Sequence, residues 1–306
     1  MSLALVIPDR KLGTLVDKLQ VLLPGVLIQQ WPDYSAPQQV QMAVVWKQPA
    51  GSLAALTQLK SLQSFGAGVD TILSDPTLPD LPLSRIVDPH LTQSMLGYLQ
   101  SVLGYYQNRL DLFGRQQQQQ QWKPKSPRPI RHIAVLGLGE LGAAAACHFA
   151  SLGYQVSGWA RSQKQLAGVA CYATEQGYAK AVADADLVIC LLPLTADTEN
   201  FLNADRLALC KAGAILVNVA RGAVLDDEAL LRALETGQLE AACLDVFRQE
   251  PLPATDPYWS HPAVLVTPHC SAVTNVDTAV AQIAENYHRT LNGLPLVHLV
   301  DKIRGY

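Results

Sequence analysis

The sequence has little that would suit a membrane, a nucleic acid or a disulfide framework. None of its apolar runs approaches the ~20 residues that a membrane helix needs. Its 23 lysines and arginines are balanced by 26 acids and spread along the chain, so no basic patch predicts nucleic-acid binding. The six cysteines include no C-x-x-C pair and lie mostly in apolar segments, which favours buried, reduced thiols. We expect neither a membrane nor a nucleic acid as partner.

Two further absences narrow the class of protein. Charge at Asp9 and Arg10 interrupts the first apolar segment before a signal-peptide core can form, which predicts a cytoplasmic protein. No set of histidines, cysteines and carboxylates has the spacing of metal ligands, so we expect no metal site. What remains is a chain of 306 residues, long enough for two domains with sizeable cores.

Two α/β regions are predicted from the pattern of apolar residues. The first contains the strand-like segments SLALVIPD, VLIQQW and VQMAVVWKQP, separated by helical or turn stretches. From Ile130 onward strands and helices alternate, which is typical of a doubly wound, Rossmann-type parallel sheet with helices on both faces.

The connection between the two regions predicts their boundaries. A helical pattern covers 91–113, and the glutamine run at 116–121 is predicted to be a solvated extension and loop rather than an interaction tract. We predict a dinucleotide-binding domain over 96–287, including the linking helix 96–113. Because the tail is expected to return to the first region, 1–95 and 288–306 are predicted to form a smaller, flavodoxin-like substrate-binding domain.

A glycine-rich turn predicts the cofactor site. In GLGELG, Gly137, Gly139 and Gly142 follow an apolar strand and open an alanine-rich helix. The first glycine allows the tight turn, the second lets the backbone approach a pyrophosphate, and the third lets helix and strand pack. The helix amino terminus then faces the anion. The alternative, a glycine turn without a ligand, is less consistent with this context.

The type of nucleotide is predicted from a missing acid. NAD-binding units carry Asp or Glu at the end of the second strand, where it holds the ribose 2′-hydroxyl. Here GWARSQKQ offers Trp159, Arg161 and Ser162 instead. The arginine fork suits a 2′-phosphate, and no acid repels it. We therefore expect NADP(H) to be preferred, with NAD(H) possible, although Arg161 could also be an ordinary surface residue.

Three later segments place one ionisable residue each at a predicted strand end, where open α/β sheets bind ligands. They are Arg221 in NVARGAVLD, Glu250 in LDVFRQEPLP and His269 in VTPHCSA. Reduction of a 2-keto acid needs a cation for the carboxylate and a proton donor for the oxygen. The guanidinium of Arg221 suits the first task and the imidazole of His269 the second. Glu250 is the candidate that favours the protonated imidazole.

Read together, these segments resemble a known family over essentially the whole chain. The ordered set GLGELG, LLPLTADT, NVARGAVLDDEALLRAL, LDVFRQEPLP and TPHCSAVT is similar to the D-isomer-specific 2-hydroxyacid dehydrogenases. WARS, FRQEPLP with DPYWSHP, FGAGVD and the terminal RGY resemble their glyoxylate/hydroxypyruvate reductase A branch. The resemblance implies a cytoplasmic homodimer that reduces glyoxylate or hydroxypyruvate with NADPH, using Arg221, Glu250 and His269.

The resemblance also implies further site residues. For the substrate these are the backbone of Ala67, Gly68 and Val69, which would hold the carboxylate, and the aromatic side chain of Trp46. For the cofactor it adds residues of the turns that follow the strands: Glu140, Leu141, Trp159, Ser162, Leu192, Pro193, Leu194, Thr198, Val219, Ala220 and Asp245. Of these, Asp245 would lie near the nicotinamide carboxamide, and Thr198 would contact phosphate or begin a helix.

Two alternative functions stay open at this point. One is a dehydrogenase of a larger 2-keto acid such as phenylpyruvate, because the size of the substrate pocket is not readable from the sequence. The other is a nucleotide-sensing protein that keeps the fold without turnover. The presence of Arg221, Glu250 and His269 together favours an enzyme.

Overall fold

The computed structural model describes residues 1–8 and 10–305. Asp9, used above for the charge near the amino terminus, and Tyr306, the end of the RGY motif, lie outside the described residues. The chain divides into two compact units, Met1–Leu91 with Thr274–Tyr306 and Thr92–Val273.

Helices and strands alternate along the chain. The strands are β1 (Ser2–Val6), β2 (Leu27–Gln30), β3 (Val40–Val45), β4 (Ser61–Ser64), β5 (Leu83–Ser84), β6 (His132–Leu136), β7 (Gln155–Trp159), β8 (Val169–Tyr172), β9 (Leu187–Cys190), β10 (Ala214–Asn218), β11 (Leu239–Leu244) and β12 (Val264–Val266). The helices are α1 (Gly13–Leu22), α2 (Asp70–Leu73), α3 (Pro89–Gln107), α4 (Leu110–Gln118), α5 (Glu140–Ser151), α6 (Thr174–Val182), α7 (Ala204–Ala208), α8 (Asp227–Glu235) and α9 (Val276–Leu291).

The first unit is built on a parallel sheet with the order β2-β1-β3-β4-β5 among the described residues. This is the flavodoxin-like strand order. Leu3 and Leu5 of β1 pack with Leu19 of α1 and with Ile283 and Tyr287 of α9, so one face of the sheet is covered by these two helices. The predicted flavodoxin-like class is confirmed.

The second unit is a doubly wound parallel sheet. In the described part of the chain its strands lie in the order β12-β11-β10-β9-β6-β7-β8. The chain runs outward from β6 to β8 and then returns to β9 beside β6, which is the switch point where such sheets bind nucleotides. Strands β9 and β10 are fully buried, as expected for strands covered on both faces. The Rossmann-type prediction is confirmed.

The boundary between the two units differs from the prediction. Helix α9 was expected to lie mostly in the dinucleotide-binding domain 96–287, but the whole helix belongs to the first unit. The reason is its apolar face: Ala279, Val280, Ile283 and Tyr287 are buried in the core around β1 and β3. The first unit therefore begins its second segment at Thr274 rather than at 288.

One local prediction was also wrong, and one short strand was missed. The helical pattern over 91–113 is two helices, α3 and α4, because Arg109 between them adopts a left-handed backbone with φ 57°. The glutamine run extends α4 to Gln118 and is exposed from Gln117 onward, as predicted, whereas the side chain of Gln116 is buried. The short strand β8, VACY, was not predicted, since four residues give too little alternation to recognise.

The described residues contain no helix with the length and apolar character needed to cross a membrane. Nor do the residues that the structure describes bring three or more His, Cys, Asp or Glu side chains together as metal ligands.

Candidate active site

Arg221 lies in a turn that directly follows the buried strand β10. The side chain of Asn218, the last residue of the strand, donates to the Arg221 carbonyl at 3.1 Å and accepts from the Ala220 N–H at 3.2 Å. Asn218 is fully buried, so these two hydrogen bonds fix the turn in a protected environment. The Arg221 guanidinium donates to the Ala220 carbonyl at 2.7 Å and is half-buried.

Gly222 brings this turn against the segment that carries Glu250. A Cβ atom at position 222 would lie 2.0 Å from the Phe247 carbonyl carbon and 2.3 Å from the Arg248 nitrogen. Only glycine allows backbone to approach backbone this closely. The turn after β10 and the segment after β11 are therefore packed directly on each other.

Glu250 and His269 form the central pair of the site. The Nδ1 atom of His269 lies 2.8 Å from the Oε2 atom of Glu250, and both side chains are partly buried. The other carboxylate oxygen accepts the Phe247 N–H at 3.2 Å. Because a carboxylate only accepts, the proton of this hydrogen bond is on Nδ1, and Nε2 is the nitrogen left for other chemistry.

Arg248 anchors the segment around Glu250. Its guanidinium donates to the Leu225 carbonyl at 2.6 Å, to the Asp227 carboxylate at 3.1 Å and to the side-chain oxygen of Asn200. Asp227 in turn accepts from the Tyr258 hydroxyl at 2.8 Å. Several elements thus hold the backbone two residues before Glu250.

Asp245, for which a place near the nicotinamide carboxamide was predicted, is buried where β11 ends. Its side chain is 0% exposed, at the end of β11, and its carboxylate faces the loop 267–271. It accepts from the Thr267 hydroxyl at 2.6 Å and from the N–H groups of Cys270 and Ser271, both at 2.9 Å. In this structure Asp245 shapes the loop that carries His269.

The glycine turn between β6 and α5 has the shape that a pyrophosphate needs. A Cβ at Gly142 would lie 1.7 Å from the Gly137 carbonyl oxygen, and one at Gly137 would lie 2.6 Å from the Leu191 carbonyl oxygen. A Cβ at Gly139 would meet nothing within 4 Å, so this residue faces open space at the helix amino terminus. Tight packing behind the turn and space in front of it fit a bound dinucleotide.

The residues after β7 fit a charged ribose substituent. Arg161 is 56% exposed and pairs with Asp197, itself 76% exposed, at 3.3 Å. Ser162 beside it is exposed as well. A pair this open to solvent contributes little to stability, so the guanidinium is easily redirected toward a phosphate.

Several residues predicted to touch the cofactor are buried instead. Trp159 is only 6% exposed; its indole donates to the Thr174 carbonyl at 2.7 Å and packs on Tyr178 and Phe201. The indole of Trp159 therefore belongs to the core of the second unit. The side chains of three other predicted contacts are also buried: Leu192, Val219 and Ala220.

The other predicted cofactor residues lie at the start of α5 and after β9. Glu140 is exposed and Leu141 half-buried in the first turn of α5, and Pro193 and Leu194 are half-buried after β9. Thr198 does not begin a helix: its hydroxyl donates to the Pro193 carbonyl at 2.6 Å and closes a local turn.

The predicted carboxylate-binding loop lies in the first unit, after β4. Ala67 and Gly68 are half-buried, and the buried Ser64 hydroxyl donates to the Gly68 carbonyl at 3.0 Å. Val69 is buried at the start of α2, so its side chain belongs to the core. The Trp46 ring packs on Gly66, where a Cβ would lie 2.3 Å from the ring. The Arg10 guanidinium lies 5.9 Å from the ring centroid of Trp46.

Sequence reasoning missed the residues that support the site. Asn218, Arg248 and Thr267 lie inside quoted motifs but have no chemistry that singles them out. For Asn218 the available signal was its position, because a polar residue that ends a buried strand needs a hydrogen-bond partner.

With this geometry in view, the comparisons with known proteins decide the family. A family model described as "D-isomer specific 2-hydroxyacid dehydrogenase, NAD binding domain" matches residues 102–271, more than half of the chain. The chain belongs to the D-isomer specific 2-hydroxyacid dehydrogenase family. It is therefore an oxidoreductase, as predicted, with an NAD-binding domain.

Its relatives support the predicted branch of the family. The glyoxylate/hydroxypyruvate reductase A of Yersinia enterocolitica is 39% identical over 296 residues, which cover 94% of each chain. The D-isomer specific 2-hydroxyacid dehydrogenase of Xanthobacter autotrophicus Py2, in complex with NADPH and MES, has a TM-score of 0.94 and 38% identity, covering 100% of this chain and 99% of that one. The NADPH-dependent glyoxylate/hydroxypyruvate reductase of Sinorhizobium meliloti, in complex with NADP and sulfate, has a TM-score of 0.92 at 30% identity and covers 100% of both chains.

Replacing Gly222 by Ala should damage the site through the backbone. The added methyl group forces the turn of Arg221 away from Phe247 and Arg248, and a displacement on the order of 1 Å costs about 100-fold in rate. We expect kcat/KM for reduction of a 2-keto acid to fall by about that factor. Overpacking should also lower the free energy of unfolding, measured by urea denaturation, by about 1–3 kcal/mol.

Gly114→Ala is the matched control for this variant, because a Cβ at that exposed position of α4 meets nothing within 4 Å. It should keep wild-type kcat/KM and stability. A Gly222→Ala protein with the same kinetics as Gly114→Ala would show that the close approach is irrelevant to the site.

Proposed function

We propose that this oxidoreductase reduces small 2-keto acids with NADPH, converting glyoxylate to glycolate and hydroxypyruvate to glycerate. His269 is the proton donor and Arg221 the residue that binds the substrate carboxylate. The observation that carries the proposal is the 2.8 Å contact between His269 Nδ1 and Glu250 Oε2. It gives an imidazole with a fixed tautomer and an acidic partner, next to a turn with an arginine.

Arg221 has two tasks in the proposed reaction. Its planar guanidinium holds the carboxylate of the 2-keto acid, and its charge stabilises the oxygen on which negative charge develops. The Asn218 hydrogen bonds to its turn support a fixed backbone, so little ordering remains when substrate binds. The backbone of Ala67 and Gly68 is the second proposed contact of the carboxylate.

His269 completes the reduction. A bound reduced nicotinamide supplies the hydride for the carbonyl carbon. As the carbon–oxygen π bond breaks, Nε2 of the protonated His269 gives its proton to the oxygen, and a 2-hydroxy acid results. Glu250 stabilises the positive charge on the imidazole before this transfer and keeps the ring oriented afterwards.

The nucleotide would be held by the glycine turn and Arg161. Gly139 leaves room for the pyrophosphate at the start of α5, and Gly137 and Gly142 allow the close packing behind it. Arg161 is solvent-exposed after β7, at the position where NAD-specific units have an acid. Two solved relatives, from Xanthobacter autotrophicus Py2 and Sinorhizobium meliloti, carry NADPH or NADP, which agrees with this choice.

A steady-state comparison of substrates tests the proposal as a whole. Purified protein should reduce glyoxylate and hydroxypyruvate with higher kcat/KM than phenylpyruvate, and NADPH should serve better than NADH. The rate is measured from the loss of absorbance of the reduced nicotinamide. A preference for phenylpyruvate would instead favour a dehydrogenase of larger 2-keto acids. No turnover of any 2-keto acid would favour a protein that only binds the nucleotide.

Replacing His269 by Ala should separate proton donation from cofactor binding. Loss of a general acid is expected to lower kcat by about 10²- to 10⁴-fold. The Kd of NADPH, measured by fluorescence titration, should stay within about twofold, since no nucleotide contact is assigned to the imidazole. His288→Ala, at an exposed position of α9, is the control and should leave both values unchanged. Loss of NADPH binding in His269→Ala would refute the assigned role.

Replacing Arg161 by Gln should weaken NADPH selectively. A hydrogen bond to a charged group contributes about 1.5–3 kcal/mol, which corresponds to roughly 10- to 100-fold in affinity. We expect kcat/KM for NADPH to fall by about this factor and that for NADH to stay nearly constant. Arg232→Gln removes another exposed arginine of the same unit, on α8, and should change neither. An equal loss with both nucleotides would rule out recognition of the 2′-phosphate by Arg161.

A further inference from the structure

A chain of partly buried hydrogen bonds connects α3 to the loop that carries His269. The Tyr98 hydroxyl, on α3, lies 2.6 Å from the Thr267 hydroxyl and 3.3 Å from the Cys243 sulfur. Thr267 donates to the Asp245 carboxylate at 2.6 Å. All four residues belong to the second unit, and neither Tyr98 nor Cys243 has a part in the proposed reaction.

The direction of the protons along this chain follows from the groups themselves. A carboxylate can only accept, so the single proton of Thr267 goes to Asp245. The Thr267 oxygen must then accept from Tyr98, whose own oxygen is left to accept from the Cys243 thiol. Burial raises the pKa of Cys243 to about 12, so the thiol keeps its proton. Burial, followed by the neighbouring Cys243, also raises the pKa of Tyr98, which therefore remains a donor.

The chain ends at the backbone of the catalytic loop. Asp245 accepts from the Cys270 and Ser271 N–H groups, and its own carbonyl accepts the His269 N–H at 2.8 Å. His269 itself has φ 50°, a left-handed conformation that is unfavourable for any residue with a Cβ. Contacts from outside the loop must therefore hold this conformation.

We propose that Tyr98 is a positioning residue for His269. It acts through Thr267 and Asp245, and the proposal rests on the assigned role of His269 as proton donor. By giving Thr267 a fixed donor, Tyr98 leaves one orientation of the Thr267 hydroxyl, the one directed at Asp245. Asp245 is then held where both of its oxygens bind the loop, and Nε2 of His269 keeps a constant position.

Packing alone does not account for the hydroxyl of Tyr98. A phenylalanine would fill the same apolar space without placing a polar group in a partly buried site. Tyr106 offers a direct comparison on the same helix: its hydroxyl donates to the Ala242 carbonyl at 2.9 Å, in the same core but away from loop 267–271. Tyr98 and Tyr106 thus differ in where their hydrogen bonds lead.

The experiment compares Tyr98→Phe with Tyr106→Phe. Both variants lose hydrogen bonds from α3, two at Tyr98 and one at Tyr106, so both should lose thermal stability. Only Tyr98→Phe is expected to lower kcat for glyoxylate reduction, by about 10-fold, because a small displacement of the acid is costly in rate. Its Kd for NADPH and KM for glyoxylate should stay within about twofold of wild type. Equal kcat in the two variants would overturn the proposal.

A second measurement, by NMR, does not depend on turnover. In protein labelled with ¹⁵N-histidine, the imidazole signals of His269 are identified by their loss in His269→Ala. Tyr98→Phe should shift or broaden them, and Tyr106→Phe should leave them in place. Unchanged His269 signals in Tyr98→Phe would refute positioning. A wild-type protein that reduces no 2-keto acid would refute the proposed function instead, and the spectra would still decide whether Tyr98 orders His269.

Variants of Thr267 keep the test decisive if Tyr98→Phe does not fold. Thr267→Val keeps the shape but removes the hydroxyl, and should reproduce the loss of kcat and the change in the His269 signals. Thr267→Ser keeps the hydroxyl and should retain most of the wild-type kcat. If both single variants fold, the double variant Tyr98→Phe/Thr267→Val should lower kcat by less than the product of the two single fold-losses. The reason is that both residues act through one chain of hydrogen bonds. Independent effects would contradict the proposal.

Discussion

The hydrogen bond between His269 Nδ1 and Glu250 Oε2 decides which atom of the imidazole is open to a substrate. At 2.8 Å from a carboxylate, Nδ1 holds its proton, so any exchange with a substrate falls to Nε2. The carboxylate is itself fixed from within its own segment, because Phe247 N–H donates to its other oxygen. Rotation of either side chain would break this pair, and the acid function proposed for His269 depends on its persistence.

The parallel sheet brings Arg221, Glu250 and His269 together through short and rigid connections. Strands β10, β11 and β12 are neighbours and run parallel, so the turns that follow them meet at one edge. Arg221 lies three residues after its strand, and His269 lies three residues after its own. Such short connections transmit the rigidity of buried strands directly to the functional side chains. Gly222 then lets the turn after β10 and the segment after β11 contact each other backbone to backbone.

The parts of the fold and site that could be predicted are those that depend on local pattern. Alternating strands and helices identified both sheets, and Arg221, Glu250 and His269 were recognisable because charged residues at strand ends are unusual without a ligand or partner. For Trp159, which was predicted as a cofactor contact, the local pattern did not indicate the direction of the side chain. Its side chain faces the core, where Tyr178 and Phe201 contact it.

The supporting residues could not be predicted, for a physical reason. Tyr98 and Thr267 are 169 positions apart, and their contact exists only because α3 covers the face of the sheet beneath β11 and β12. In a helix with apolar residues at regular spacing, a tyrosine looks like one more packing residue. The same holds for Asn218, which ends an otherwise apolar strand. Only the strand order determines which polar groups meet in the interior.

Two independent sets of contacts therefore fix His269. Its side chain is held by Glu250, after β11, whereas its backbone is held by Asp245, at the very end of the same strand. If only the imidazole were held, the backbone of the loop could still move. If only the backbone were held, the ring could still rotate. Burying the Asp245 carboxylate is unfavourable unless every oxygen is paired, and the Thr267, Cys270 and Ser271 donors meet that need. The same hydrogen bonds that make the buried acid tolerable thus set the position of the proposed proton donor, so that stability and chemistry are served by one set of contacts.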